Sequence, residues 1–227
     1  NHYAGSPSWG MEFRPYYMAT EWVKSGHKVT VIASSFSHLR YKQPICKDKI
    51  VSTDIDGIRY IFLKTKAYHK NGFGRVINII QFLKKLYFNY KSIIIEEPDV
   101  IIASSTYPFD VWICKKIAKK YSCKLIFEVH DLWPLSLKEI SGYSFFHPYI
   151  IAIQLAENYA YKNSDYVVSM LPNALEHMLL HGLNDDKFSY IPNGFNIEEW
   201  NDPEPCPELY IEVIDKLKNS GKKIVGY

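Results

Sequence analysis

Short apolar runs recur along this chain, and most are separated from the next by a stretch of helical length. GHKVTVIAS at 26–34 holds a β-branched run bounded by a turn, and PDVIIASS at 98–105 ends in small residues. KLIFEVHD at 124–131, DYVVSML at 165–171 and KFSYIPNG at 187–194 repeat the pattern. Helical periodicity fills the intervals at 12–24, 75–91, 108–120, 146–163 and 173–181, with Gly26 and Gly182 as stop signals. Residues 37–48 are polar and irregular, and IDGIRYIFLKT at 55–65 holds an Asp-Gly turn followed by a strand. Strands joined through helices run parallel, so the pattern predicts an α/β fold with a doubly wound, mostly parallel sheet. The runs at 98–105 and 124–131 are expected to be buried on both faces. Parallel strands place their C-terminal ends on one edge, where open α/β sheets bind ligands. His130 and Asp131 end one strand, Ser104 and Ser105 a second, and Asn193 and Gly194 a third. Three polar groups are thus expected at one crevice.

Composition narrows the function. Of 227 residues 47% are apolar, enough for a sizeable core. The net charge of +3 is too small to argue for nucleic acid, and no RNP or zinc-finger pattern is present. Cys46, Cys114, Cys123 and Cys206 form no CxxC pair and read as free thiols. His2, His27, His38 and His69 have no partner at ligand spacing, so no metal centre is expected. No apolar run reaches the roughly 18 residues of a membrane span. A GxSxG elbow, a GxGxxG fingerprint and a paired-carboxylate hydrolase site are all lacking, and the second absence argues against a dinucleotide oxidoreductase.

Four stretches can carry chemistry. YAGSPSWGMEFRPYYMA at 3–19 runs from a loop with Gly5 and Gly10 into a helix, where free N–H groups can hold an anion. Arg14 near the helix start adds a fork of donors; the alternative is a plain surface loop. In HDLWP at 130–134, His130 can bond a sugar hydroxyl or phosphate, Asp131 can set its tautomer, and Trp133 can wall a sugar face. A structural turn explains the same residues. SYIPNGFNIEEW at 189–200 offers a rigid Pro-Asn-Gly turn in which Gly194 can take a positive φ. Finally, Lys64, Lys66, Lys70, Arg75, Lys84, Lys85 and Lys91 occupy a stretch without Asp or Glu, around RVINIIQFLKKLYFNYK. That helix suits an anionic bilayer, with Arg75, Lys84, Lys85 and Lys91 as candidate membrane contacts. It also suits a crossover helix buried on one face.

YAGSPSWGMEFRPYYMATEWVKSGHKVTVIAS, VHDLWP and YIPNGFN, in this order, resemble the N-terminal domain of a family 4 glycosyltransferase of the two-domain GT-B type. The nearest flavour is the bacterial cell-envelope group that builds capsular, O-antigen or exopolysaccharide units. The resemblance implies two Rossmann-like domains around a cleft, the first chiefly for the acceptor and the second for a nucleotide sugar. It sets Gly10 and Arg14 near the donor phosphates, His130 against the transferred sugar, and Asn193 and Gly194 at the turn toward the cleft. It implies a retaining transfer without metal or other cofactor, in which the leaving diphosphate assists the incoming hydroxyl. It also implies a saccharide or polyprenyl-diphosphate-linked acceptor, at the inner face of the cytoplasmic membrane. Two positions depart from the pattern. Leu135 stands where relatives commonly have glutamate, and Trp9 before Gly10 narrows the acceptor entry, with Trp133 and Ser105 as further candidate acceptor walls.

The ends read as those of a fragment. Residues 1–9 look like the loop after a first strand, and KKIVGY at 222–227 like the opening of a new one. The expected division is an acceptor-side domain at 1–200, a linker and helix at 201–220, and the start of a donor domain at 221–227. Such a fragment is expected not to transfer sugar by itself. The rival readings are a non-catalytic binding or scaffold domain of the same fold and a sugar-nucleotide epimerase.

Overall fold

Thirteen α-helices and strands, with a 3-10 turn at Asp185–Lys187, are found among the described residues of the first of two compact units, Asn1–Asn193. They are α1 (Arg14–Lys24), β1 (Thr30–Ser34), β2 (Ile50–Ile55), β3 (Ile58–Leu63), α2 (Phe73–Ile93), β4 (Val100–Ala103) and α3 (Asp110–Tyr121). There follow β5 (Lys124–Val129), α4 (Leu135–Ser141), α5 (Pro148–Asn163), β6 (Tyr166–Ser169), α6 (Leu175–Leu180) and β7 (Phe188–Tyr190). The computed structural model describes residues 1–69, 72–203, 205–221 and 223–224. Lys70 of the basic stretch and, from the strand expected at 222–227, residues 222 and 225–227 lie outside the described residues.

One sheet has the order β4-β5-β6-β7 with every pair parallel, in a register that sets Ile102 beside Ile126 and Phe127 beside Val167. The mostly parallel α/β fold read from the alternation is the fold found. The other sheet has the order β1-β3-β2, with β1 parallel to β3 and β2 antiparallel. β2 is an element the periodicity did not announce. It pairs with β3 through a tight hairpin in which Asp56 and Gly57 both have positive φ, 54° and 78°. That conformation suits the right-handed twist of the strands, which is why Asp-Gly is placed there. His2 stands between the sheets: its carbonyl accepts from Ser34 N (2.9 Å) and its own N–H donates to Ser105 Oγ (3.0 Å).

Apolar clusters on both sheets hold the unit. Ala19 of α1 packs on Val31, Tyr60 and Phe62. Phe82, Leu86 and Tyr90 of α2 lie on Ile61 and Leu63. Val111 of α3 and Ala160 and Tyr161 of α5 cover Phe127 and Val167. Each such large side chain contributes about 1.5–3 kcal/mol by leaving water. β4 departs from the expected two-sided burial, since it is the edge strand of its sheet and Val100 is half-exposed.

The basic helix is a crossover helix with an unusual outer face. α2 buries Ile79, Phe82, Leu86, Tyr90 and Ile93, while Ile80, Lys84, Tyr87, Phe88 and Lys91 point outward. Two of the candidate membrane contacts are used inside the unit instead. The Arg75 guanidinium lies over the rings of Tyr3 (5.3 Å) and Trp133 (5.6 Å), and Lys85 Nζ donates to the Lys64 carbonyl.

The second unit, Gly194–Tyr227, contains α7 (Ile197–Asn201) and α8 (Glu208–Asn219). The Asn196 side chain caps α7 by accepting from Glu198 N (3.0 Å), and α8 begins directly after Pro207. The boundary between the two compact units falls at Asn193.

Candidate functional site

β5 delivers the centre of the site. Its run KLIFEV carries one charged residue near the end, Glu128, and continues into His130. Residues two apart on a strand share a face, so Glu128 and His130 project together. His130 Nε2 lies 3.0 Å from Glu128 Oε2 and 3.0 Å from Ser104 Oγ, which follows β4. The Ser104 hydroxyl donates to the same Glu128 oxygen at 2.6 Å. With that oxygen as acceptor, the proton of a neutral imidazole belongs on Nε2, and Nδ1 carries the lone pair.

The other carboxylate oxygen of Glu128 takes Arg14. Arg14 Nε donates to Oε1 at 2.9 Å, with the two side chains only 5% and 11% exposed. Its Nη1 donates to the Pro192 carbonyl (2.9 Å) and to Asn193 Oδ1 (3.0 Å), and Nη2 to the Ile191 carbonyl (2.9 Å). One guanidinium therefore ties the start of α1, the end of β5 and the segment after β7. Burial alone would raise the Glu128 pKa. The hydrogen bond and charge of His130, the Ser104 hydroxyl and Arg14 outweigh it and hold the carboxyl down at about 2. A charge so held is a fixed anchor for the imidazole.

The structure brings Ser104, His130, Arg14 and Asn193 into one network, with Glu128 as its hub. Glu128 is the residue the motif reading missed. Its signal was present: a carboxylate inside an apolar strand must be paired, because an unpaired buried charge is too costly.

Other candidates stand elsewhere or do different work. Arg14 spends its donors within the unit, so it is a clamp and not the free fork expected for a phosphate. The Gly10 N–H donates to the Ser6 carbonyl (2.8 Å), so it does not face an anion. Gly10 has a φ of +103°, and a Cβ on Gly5 would stand 1.8 Å from the Gly10 carbonyl oxygen, so these glycines serve the closeness of the loop. Asp131 does not contact His130 through any hydrogen bond. It accepts from Trp133 Nε1 (3.0 Å) and from the Ser136 hydroxyl, and so shapes the turn into α4. Adjacent strand residues point to opposite faces, which is why Glu128 and not Asp131 orients the histidine.

The three expected acceptor walls are also partly reassigned. Ser105 is buried under the chain start, its hydroxyl bonded to His2 N. Trp9 packs edge-on against Tyr60 (5.6 Å) and Phe62 (4.8 Å) in the α1 core. Trp133, half-buried, stacks with Arg75 beside Tyr3. Gly194 opens the second unit and is not among the glycines with positive φ. His2 is a satisfied core histidine, bonded to Asn78 Oδ1 (2.6 Å) and to the Tyr107 hydroxyl, with burial pushing its pKa down. Among the described residues, no helix is long and apolar enough to cross a membrane.

Known proteins share this architecture. The sucrose-phosphate synthase of Thermosynechococcus elongatus is 12% identical, with a TM-score of 0.57 over 84% of this chain and 47% of that one. The E. coli trehalose-6-phosphate synthase bound with UDP-2-fluoro glucose is 8% identical, with a TM-score of 0.56 over 96% of this chain and 54% of that one. At such identities the likeness shows the fold alone, that of GT-B glycosyltransferases, and the chain spans about half the length of these proteins. A search among curated proteins finds no match. At the level of sequence the profile of Glycosyltransferase Family 4 matches residues 10–199, and the chain belongs to that family.

Proposed function

We propose that this chain is the acceptor-side half of a retaining glycosyltransferase that moves a sugar from a nucleotide sugar to a saccharide acceptor. The observation that carries this reading is the Glu128–His130–Ser104 network at the C-terminal edge of the parallel sheet. Family membership supports the reaction class, and the sheet edge supports the place.

The chemistry follows from the network. Transfer needs an acceptor hydroxyl held in line and a leaving diphosphate whose charge is stabilised. The carboxylate fixes the Nε2 proton of His130, so Nδ1 is a pre-set acceptor for a sugar hydroxyl. The site contributes no covalent nucleophile. Donors for the diphosphate come chiefly from a second domain, since Arg14 and the Gly10 N–H are already used within this unit. On this reading the 227-residue chain alone releases no nucleotide from a donor.

The acceptor we assign is lipid-linked, a polyprenyl-diphosphate saccharide of capsule, O-antigen or exopolysaccharide synthesis, met at the inner face of the cytoplasmic membrane. The outer face of α2 supports it, with Ile80, Tyr87 and Phe88 among Lys84 and Lys91. Sedimentation with anionic vesicles at low salt is expected to carry the protein down. Lys84→Glu and Lys91→Glu together should weaken this at least tenfold, at about 1 kcal/mol for each basic residue lost. Equal sedimentation of the wild type with and without vesicles would overturn the membrane assignment.

The test of function uses the full-length protein with a panel of nucleotide sugars and bacterial membrane lipid extract. Nucleotide release together with a labelled lipid product is the expected result. Conversion of the donor without acceptor would indicate an epimerase, and absence of donor binding by calorimetry a scaffold.

A further inference from the structure

We propose that Glu157, His177 and His181 form a binding site for one divalent transition-metal ion of the Zn²⁺ class. The three residues come from two helices. His177 on α6 and His181 just past its end are four apart, hence on one helical face, and Glu157 sits in the middle of α5. One ligand atom from each lies within 4.8 Å of the others. His177 Nε2 is 3.0 Å from Glu157 Oε1, and the two imidazole rings are 4.3 Å apart between centroids.

The surroundings of the cluster suit a cation. Glu157 has a side chain only 2% exposed. Among the described residues its ion-pair partner is His177, and no Lys or Arg pairs with it. Tyr161 OH donates to Oε1 at 2.9 Å. The Gln154 amide nitrogen has two hydrogens. It donates to Glu157 Oε2 (2.6 Å) and Asn158 Oδ1 (2.9 Å) and also lies 3.0 Å from His181 Nδ1. His181 Nδ1 also faces Asn158 Oδ1 at 3.1 Å. Imidazole nitrogens and amide oxygen thus converge on a buried carboxylate that, among the described residues, no lysine or arginine neutralises, a setting that suits a bound cation.

Two imidazoles and one carboxylate are the ligand set of an open zinc site, in which water fills a fourth position. Both histidines are half-buried, so water reaches them. Tetrahedral bonds of about 2.0 Å bring ligand atoms to roughly 3.3 Å from one another. The Glu157–His177 pair is already that close, and a side-chain rotation of His181 closes the set. On binding, the ion takes the lone pair of His177 Nε2, the neutral imidazole carries its one proton on Nδ1, and the second proton of a charged ring leaves to solvent. Gln154 and Tyr161 remain as outer partners of the carboxylate. The ion would staple α5 to α6, independently of any sugar transfer.

The test uses tag-free protein stripped with chelator and titrated with Zn²⁺ against a chromophoric competitor. One equivalent of Zn²⁺ should bind, and Co²⁺ should give visible absorption of four-coordinate intensity. His177→Ala and His181→Ala should each lower affinity at least about tenfold. His27→Ala, an exposed histidine elsewhere, should leave it unchanged. Circular dichroism checks that the variants fold, and the wild-type stoichiometry decides by itself if they do not. Less than half an equivalent bound by the wild type would overturn the proposal and leave Glu157–His177 a metal-free ion pair. Binding that survives both histidine changes but vanishes on thiol alkylation would overturn it equally, by assigning the metal to the free cysteines.

Discussion

His130→Ala in the full-length enzyme should lower sugar transfer by about 10²-fold or more while the fold stays intact. The magnitude is that of removing a positioned acid–base or hydrogen-bonding group from a reacting centre. The fold should survive because Glu128 keeps Arg14 at 2.9 Å and the Ser104 hydroxyl at 2.6 Å when the imidazole is gone. The loss should fall on kcat, with donor binding by calorimetry nearly unchanged, since the donor is held chiefly by the other domain. Ser104→Ala should cost less, because Glu128 still anchors the ring. An H130A enzyme with wild-type kcat would remove His130 from the reaction and with it the proposed site.

Glu128→Ala should be the most destabilising single change in the site, at about 3–5 kcal/mol, because it strands the Arg14 guanidinium in the interior. For a domain of this size that corresponds to a fall in Tm of about 6–20 °C. The damage should spread, since Arg14 also holds the Ile191 and Pro192 carbonyls and Asn193. Replacing both partners, Arg14→Met with Glu128→Leu, should recover part of the loss, as no charge is then left unpaired. Acid should act on the same pair. The carboxyl is held down at about 2 against an ordinary value of 4.5, so the unfolded chain binds its proton first. The stabilisation from Glu128 is therefore full above about pH 4.5, shrinks as pH falls and is gone below about 2. Denaturant titrations across that window should show a shallower loss for Glu128→Gln than for the wild type. Parallel acid limbs in the two proteins would mean that this carboxylate is not the anchor.

The site was partly legible from sequence. Strand ends announced His130, Ser104 and Asn193, because strand and helix period are local properties and a parallel sheet gathers its C-terminal ends on one edge. Glu128 was legible in principle as a charge in an apolar strand, beside the more conspicuous HDLWP group. The partners of Arg14 were not legible: sequence offers its charge and not the acceptors that surround it. The metal cluster hid for a related reason. His177 and His181 are at helical ligand spacing, yet the decisive carboxylate lies on a different helix.

The sequence by itself determined the alternation of strands and helices, the Asp-Gly hairpin turn and the parallel sheet. Propensity, periodicity and turn chemistry act over a few residues, so each leaves its mark in the local order of the chain. Tertiary structure alone decided that Glu128 pairs at once with Arg14, Ser104 and His130, that Trp9 joins the core, and that Arg75 stacks on Tyr3 and Trp133. Those outcomes join residues far apart in the chain. Which charge meets which partner is settled only when burial removes water and leaves each polar group to the neighbours that packing has brought to it.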